Sequence, residues 1–345
     1  MRKLLNTLYI TNPEAYLTKD GENIVVRLEE KEAFRTPVHY LEGIVMFSYL
    51  GASPAALGLC LERGIGVSLL SPYGKHLANV NGTPQGNVLL RRKQYRMADE
   101  TVESAKLARS FVIAKLAGSR TVLRRFVSDY RETIATTDND IDAACKLLAR
   151  NIVRISDKVD LDVIRGIEGE SARAYFSVFD KLILTNKEHF YMLERSRRPP
   201  KDNVNALLSF FYTFLLHETK SALVTAGLDP YVGFLHRDRP GRLGLALDLM
   251  EEFRPYIADR LVLNLINRQQ ITAGDFIKKE SGGVILKEDA RKTVIEAWQK
   301  RKAEEITHPF LEEKMPLGLL PYSQALLLAR HLRGDIAEYP PFLWK

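Results

Sequence analysis

The spacing of apolar residues changes once along this chain, near residue 97, and that change limits the folds open to it. Before it, apolar residues come in short runs closed by turn residues. Leu4, Leu5, Leu8, Tyr9 and Ile10 make one such run, and residues 15–18 and 24–28 flank Lys19-Asp20-Gly21. Asp-Gly between two apolar runs predicts a hairpin, because glycine reaches the positive φ that a tight turn needs. Further strands are expected at 44–47, 67–70 and 77–80. Ser53 and Pro54 read as the cap and first residue of a helix over 55–62 that Gly64 closes. After the change, Val102, Ala105, Leu107, Ala108, Phe111, Val112, Leu116, Leu123 and Phe126 recur at the helical period. Later helices are predicted near 140–155, 168–183, 203–226, 243–265, 288–304 and 321–333, with the RSRRPP segment at 195–200 as a charged linker. The fold class is therefore α+β. A small β-rich N-terminal domain (1–90) leads through a basic connector (91–100) into a larger all-α C-terminal domain (101–345).

A chain of 345 residues, 46% hydrophobic, can bury a core in each of two domains. No apolar run reaches the length of a membrane span. The start, MRKLLNTLYITNPEAY, is broken by Asn6, Thr7 and Thr11 and lacks a small-residue cleavage site, so it reads as a strand and not a signal peptide. Cys60 and Cys145 lie far apart in apolar stretches, which fits two buried thiols better than a disulfide or metal framework. A reducing, cytoplasmic location is expected. The net charge of +7 is unevenly placed: residues 1–90 hold eight basic and eight acidic side chains, whereas residues 91–130 hold ten and four. The excess includes Arg91, Arg92, Lys93, Arg96, Lys106, Arg109, Lys115, Arg120, Arg124 and Arg125. Such clustering suits a polyanionic partner, and a solvated helix face is the plainer alternative.

Two polar clusters interrupt the helical half. In the first, residues 165–176, Ser171 and Ala172 follow Glu168 by three and four positions, so small neighbours share its helical face. That leaves room around the carboxylate for an ion or a phosphate, although a lone Glu there also reads as a surface residue near a helix start. The second cluster runs from Gly227 to Arg242 and includes His236, followed by a helix with Asp248, Glu251 and Glu252. Asp248 and Glu251 are three apart and fall on one face. One imidazole and several carboxylates suit a hard divalent cation, Mg²⁺ or Mn²⁺. Taken alone, His236 reads as a packed or capping histidine.

At these residues the chain resembles the CRISPR-associated integrase at the core of spacer-acquisition complexes, and the resemblance covers nearly the whole sequence. It rests on G-I-E-G-x-S-A-x-x-Y-F at 166–176, N-x-N-A-L-L-S-F-x-Y at 203–212, G-L-D-P-Y-x-G-F-L-H at 227–236 and D-L-M-E-E-F-R-P at 248–255. The resemblance implies a metal site of Glu168, His236 and Glu251, with Asp248 as a secondary acidic contributor. Glu170 and Glu252 fall out of register with the family's phrases. Arg91, Arg92, Lys93 and Arg96, with Arg237, Arg239 and Arg242 of the basic loop, are the candidate DNA contacts, although no loop role transfers residue by residue.

The implied activity is spacer insertion by transesterification, in which a 3′-hydroxyl attacks a phosphodiester at the repeat boundary, within what resembles a type I system. The implied partners are double-stranded DNA (the incoming spacer fragment and the repeat), a second copy of the chain joined through the β-rich domain, and a small ferredoxin-like CRISPR subunit. No membrane is involved. Two other readings remain open from the residues. One is a metal-dependent nuclease or resolvase on branched DNA, which would use water at the same site. The other is a non-catalytic nucleic-acid scaffold, which would bind DNA without metal and never join or cut it.

Overall fold

The computed structural model describes residues 7–41, 43–71, 76–80, 88–130 and 139–344, so Leu4 and Leu5 of the first apolar run lie outside the described residues. Among the described residues, seven strands, one α-helix and a 3-10 turn (Val38–Tyr40) form the N-terminal part: β1 (Thr7–Ile10), β2 (Ala15–Asp20), β3 (Asn23–Leu28), β4 (Lys31–Pro37), β5 (Gly43–Phe47), α1 (Pro54–Glu62), β6 (Gly66–Leu70) and β7 (His76–Val80). The Asp-Gly turn joins β2 to β3 as predicted, with Gly21 at φ 56°. The sequence reading did not anticipate β4, whose residues are mostly exposed and therefore carry no apolar alternation. A second sheet runs β1-β5-β6-β7, with β1, β5 and β6 parallel. The parallel pair β5 and β6 needs a crossover, which α1 supplies. Ser53 caps α1 by accepting from the Ala56 N–H at 3.2 Å, and Pro54 is its first residue.

Strand β5 shows how the two halves meet. Successive side chains point to opposite faces of a strand. Ile44 and Met46 bury against Leu17, Ile24, Ala56 and Leu59 within the β-rich part. Val45 and Phe47 belong to the helical core instead, and the Phe47 ring lies 6.1 Å from those of Phe210 and Phe214. Glu218 ties the halves further by accepting from Tyr9 Oη (3.1 Å), Trp298 Nε1 (3.0 Å) and Lys302 Nζ (2.7 Å).

The rest comprises α2 (Val88–Asp99), α3 (Thr101–Asp129), α4 (Asn139–Ile155), α5 (Leu161–Ser177), α6 (Asn203–Thr225), α7 (Gly244–Met250), α8 (Arg260–Asn267), α9 (Glu288–Ala303) and α10 (Leu320–Arg333). This part is mainly helical but not all-α. Two hairpins of three-residue strands, β8 (Phe276–Lys278) with β9 (Val284–Leu286) and β10 (Glu305–Thr307) with β11 (Lys314–Pro316), interrupt it. Strands that short carry too few residues to show a period of two. Two helix predictions also shift. Helix α5 starts at Leu161 rather than 168, because Asp160 accepts from the N–H groups of Asp162 and Val163. The predicted helix over 243–265 is broken. Residues 251–253 tighten into bonds three residues back, and Arg254–Asp259 then widens into a π-helical turn at Pro255, which has no N–H to give. Among the described residues no helix is long and apolar enough to cross a membrane. Both cysteines are free and buried, and burial pushes the Cys60 thiol up to about 11.

Candidate active site

The segment that carries His236 has no regular structure, and its shape is held from three sides. Asp248 on α7 is fully buried and accepts from the backbone N–H groups of Phe234 (2.6 Å), Leu235 (2.9 Å) and His236 (3.0 Å). Ser104 of α3 donates to the Phe234 carbonyl, and Arg165 of α5 donates to the Leu235 carbonyl at 2.7 Å. Two glycines permit this approach. A Cβ on Gly233 would lie 2.6 Å from Asp248 Oδ2, and one on Gly244 would lie 2.5 Å from the Tyr231 carbonyl oxygen. Sequence reading gave neither a role, although Gly233 stands in the G-F-L-H phrase.

Asp248 Oδ1 also meets His236 Nδ1 at 2.6 Å. A carboxylate only accepts, so Nδ1 carries a proton and donates it to Asp248, and in the neutral imidazole Nε2 is the nitrogen that keeps the lone pair. The two acidic residues predicted to share a helix face therefore part company. Asp248 faces the His236 segment, while Glu251, at the end of α7, turns toward α3. Three residues turn a helix by about 300°, so the two side chains differ by about 60° in direction and meet different neighbours.

Glu251 and Glu168, from separate elements, meet on one cation. Lys115 Nζ donates to Glu168 Oε1 in a short hydrogen bond and lies 2.7 Å from Glu251 Oε2. Arg254 Nη1 pairs with Glu251 Oε1 at 2.8 Å. Burial opposes the charge on Glu251, yet Arg254, Lys115 and His236 outweigh it and hold the carboxyl down to about 2. Burial likewise works against the Lys115 ammonium, and the two carboxylates overcome it, so its pKa is raised. Glu251 Oε2 is buried, and its charge is met by the Lys115 ammonium at 2.7 Å. Among the described residues no three His, Cys, Asp or Glu side chains are close enough together to hold a metal ion as they stand, and Lys115 stands between two of the predicted three. Sequence reading counted Lys115 only as part of a basic stretch.

The two acidic residues out of register with the family's phrases face elsewhere. Glu170 takes Asn151 and Arg154 of α4, each at 3.1 Å. Glu252 is buried against the C-terminal tail and accepts from Tyr339, Gln324 and the Phe342 N–H. A cleft beside the Lys115 cluster is lined by Ser171, Tyr175, Arg197, Tyr212, Arg254 and Asp259. Tyr212 and Tyr175 both donate to Asp259, whose carboxyl burial pushes up to about 6.

The predicted DNA contacts fall in two places. Arg92, Lys93 and Arg96 are exposed on α2, while Arg91 is half-buried with its Nε 3.3 Å from the Gly227 carbonyl oxygen. Buried Gln94 on the same helix donates to the carbonyls of Asp229 and Val232, both at 2.8 Å, and accepts from the Asp229 N–H. The basic helix is thus stapled to the segment that leads to His236. Arg239 is exposed and Arg242 half-buried, whereas Arg237 pairs with Asp162 at 2.7 Å.

A family described as "CRISPR associated protein Cas1" matches residues 8–300. The chain is 52% identical over 345 residues to a protein of Chlorobaculum tepidum named "CRISPR-associated endonuclease Cas1 1", and all of both chains is covered. In fold it is similar to a casposase solved bound to integration product, with TM-score 0.83 at 21% identity, over 98% of this chain and 94% of that one. It is also similar to a chain of a Cas6-RT-Cas1–Cas2 complex, with TM-score 0.83 at 23% identity, over 99% of this chain but 36% of that one.

Proposed function

Because this chain belongs to the CRISPR associated Cas1 family, we propose that it is a metal-dependent DNA integrase that inserts spacer DNA into a CRISPR array by transesterification. The observation that carries this reading is the meeting of Glu168 and Glu251 on one buried cation, with the His236 imidazole within electrostatic reach of Glu251 and held through Nδ1 by Asp248. Two carboxylate oxygens and one imidazole nitrogen are donors that Mg²⁺ or Mn²⁺ accepts. Glu251 Oε2 fits such an ion, because it is a buried carboxylate oxygen already turned toward a cation. Glu168, His236 and Glu251 would hold it. When bound, it supplies Lewis-acid stabilisation of charge on the phosphoryl oxygens.

The chain's own residues account for the rest. Asp248 fixes the tautomer and orientation of His236. Arg254 and Lys115 line the cleft and offer positive charge to a phosphate. The 3′-hydroxyl oxygen of the incoming strand forms a new bond to phosphorus as the bond to the repeat's 3′-oxygen breaks. The number of phosphodiesters is unchanged and the hydroxyl proton passes to the departing oxygen. Water in place of the 3′-hydroxyl gives hydrolysis, the activity named in the endonuclease relatives.

A small ferredoxin-like subunit and a second copy of this chain complete the proposed assembly. Tyr40, Tyr49 and Leu50, all exposed on the β-rich part, support a homodimer surface there. The test is incubation of the full chain and its small partner with a 3′-OH duplex and a supercoiled array plasmid in Mn²⁺. Joined products are expected. Nicked plasmid without joining would replace the integrase reading with the nuclease, and DNA binding with neither product would leave the scaffold.

Exposed Arg92, Lys93 and Arg96 give a separate expectation, since phosphate contacts position DNA without reacting with it. Changing all three to Gln should weaken binding to duplexes of any sequence. The slope of log K against log salt should flatten by roughly 0.9 for each duplex phosphate no longer neutralised. Joining at saturating DNA should persist. An unchanged salt slope would return this charge to an ordinary solvated helix face.

A further inference from the structure

We infer that Lys115 is the resident counter-ion of the metal centre: its ammonium stands between Glu168 and Glu251 where a divalent cation would bind, and it leaves when that cation arrives. The inference rests on the metal-centre reading above. It begins with where the lysine lies. Lys115 falls in the apolar stripe of α3, four residues after Phe111, three after Val112 and seven after Ala108, all buried. Only 8% of Lys115 is exposed, so charges and not solvent hold its ammonium. Those charges come from α5 and from the end of α7, and α3 reaches both.

Charge counting leads to exchange rather than addition. Glu168 and Glu251 balance Lys115 and Arg254 as the structure stands. A divalent cation held by the Glu168 and Glu251 carboxylates, at the ~2.0–2.1 Å typical of Mg²⁺, would press against an ammonium already in contact with both. Both cations together would leave two surplus positive charges in a largely buried site, and exchange leaves one. The displaced side chain borders the cleft, which Lys115 lines with Ser119, Ser171 and Tyr212. There its charge becomes available to a phosphate, so metal loading would prepare the cleft for DNA.

The test measures metal binding and not catalysis. Mn²⁺ binding to the full chain without DNA is followed by electron paramagnetic resonance of the free ion, and thermal unfolding is recorded with and without Mn²⁺. Lys115→Met removes the competing charge while keeping the stem. It should bind Mn²⁺ at least ~10-fold more tightly than the unaltered chain, unfold at a lower temperature without metal, and gain more stability on adding it. Lys115→Arg, which keeps the charge, should bind no more tightly than the unaltered chain. If the Met variant folds only with Mn²⁺ present, that rescue is itself the expected behaviour, and Lys115→Gln then supplies the affinity comparison. Equal or weaker Mn²⁺ affinity in both uncharged variants would overturn the inference and make Lys115 a purely structural ion-pair residue. An unaltered chain that binds no Mn²⁺, or binds it as well with Glu168→Gln and His236→Ala as without them, would overturn the metal centre itself and this inference with it.

Discussion

Strand joining is expected to fall by at least about 10²–10³-fold when Glu168, His236 or Glu251 is replaced, the scale on which losing one preorganised electrostatic partner of a transition state is felt. The three replacements should differ in what they do to the fold. Glu168 and His236 keep about a quarter and a fifth of their side-chain surface exposed, so alanine there removes chemistry with little packing. Glu251 is 4% exposed and faces two cations, Lys115 and Arg254. Glu251→Ala leaves both beside an empty space and should cost ~3–5 kcal/mol of stability, whereas Glu251→Gln keeps the volume and makes the cleaner test of chemistry. Product gels in Mn²⁺ and Mg²⁺, paired with scanning calorimetry, separate the two effects. Joining within a few-fold of the unaltered chain in any one variant would remove that residue from the proposed ligand set.

The β-rich to helical division could be read from the change of period, and the hairpin at Gly21 and the cap at Ser53 from local chemistry that no later packing altered. Helix α6 was expected over 203–226 and forms over Asn203–Thr225, because Asp202 caps it and its apolar residues are nearly continuous. The site was legible as a set of residue types and not as an arrangement. Asp248 and Glu251, three apart, looked like a pair, and they part because about 60° of rotation round the helix brings Glu251 to Lys115 and Arg254 instead of the His236 segment. The helix around Glu168 was started seven residues late because the cap at Asp160 was passed over, although Leu161, Ile164 and Ile167 already carry the helical period. Lys115 was visible in principle. A lysine at an apolar-stripe position predicts a buried charged partner, but the partner lies 53 residues away in one case and 136 in the other, a distance local patterning does not span. Gln94 is the same kind of omission: a polar residue on the buried side of a basic helix, whose role depends on a segment 135 residues on.

Asp248 was ranked in the sequence as a secondary contributor to the metal site, and its geometry implies a larger effect by another route. Alanine there should destabilise the protein by ~3–5 kcal/mol and abolish joining together. Its carboxylate accepts three backbone N–H groups and the His236 Nδ1 proton with no exposure to water. Each buried donor left without a partner costs ~1–3 kcal/mol, and the losses do not simply add because the loosened segment can reach solvent. Asp248→Asn separates structure from chemistry. It keeps the shape and one acceptor oxygen, so the segment over Phe234, Leu235 and His236 should stay mostly in place and the stability loss should be smaller than for alanine. Its amide group, however, donates where Oδ1 accepted. His236 must then either lose its hydrogen bond or move its proton to Nε2, and the second choice removes the lone pair a metal needs. Joining should therefore fall by at least ~10²-fold in the Asn variant, with Mn²⁺ binding weakened by ~10–100-fold, the usual range for losing a partner that orients a metal-ligating histidine. Calorimetry, Mn²⁺ titration and product gels on the two variants side by side measure all three quantities. An Asn variant that folds, binds Mn²⁺ and joins strands like the unaltered chain would mean that Asp248 only shapes the segment and that His236 Nε2 is not held in reserve for a metal.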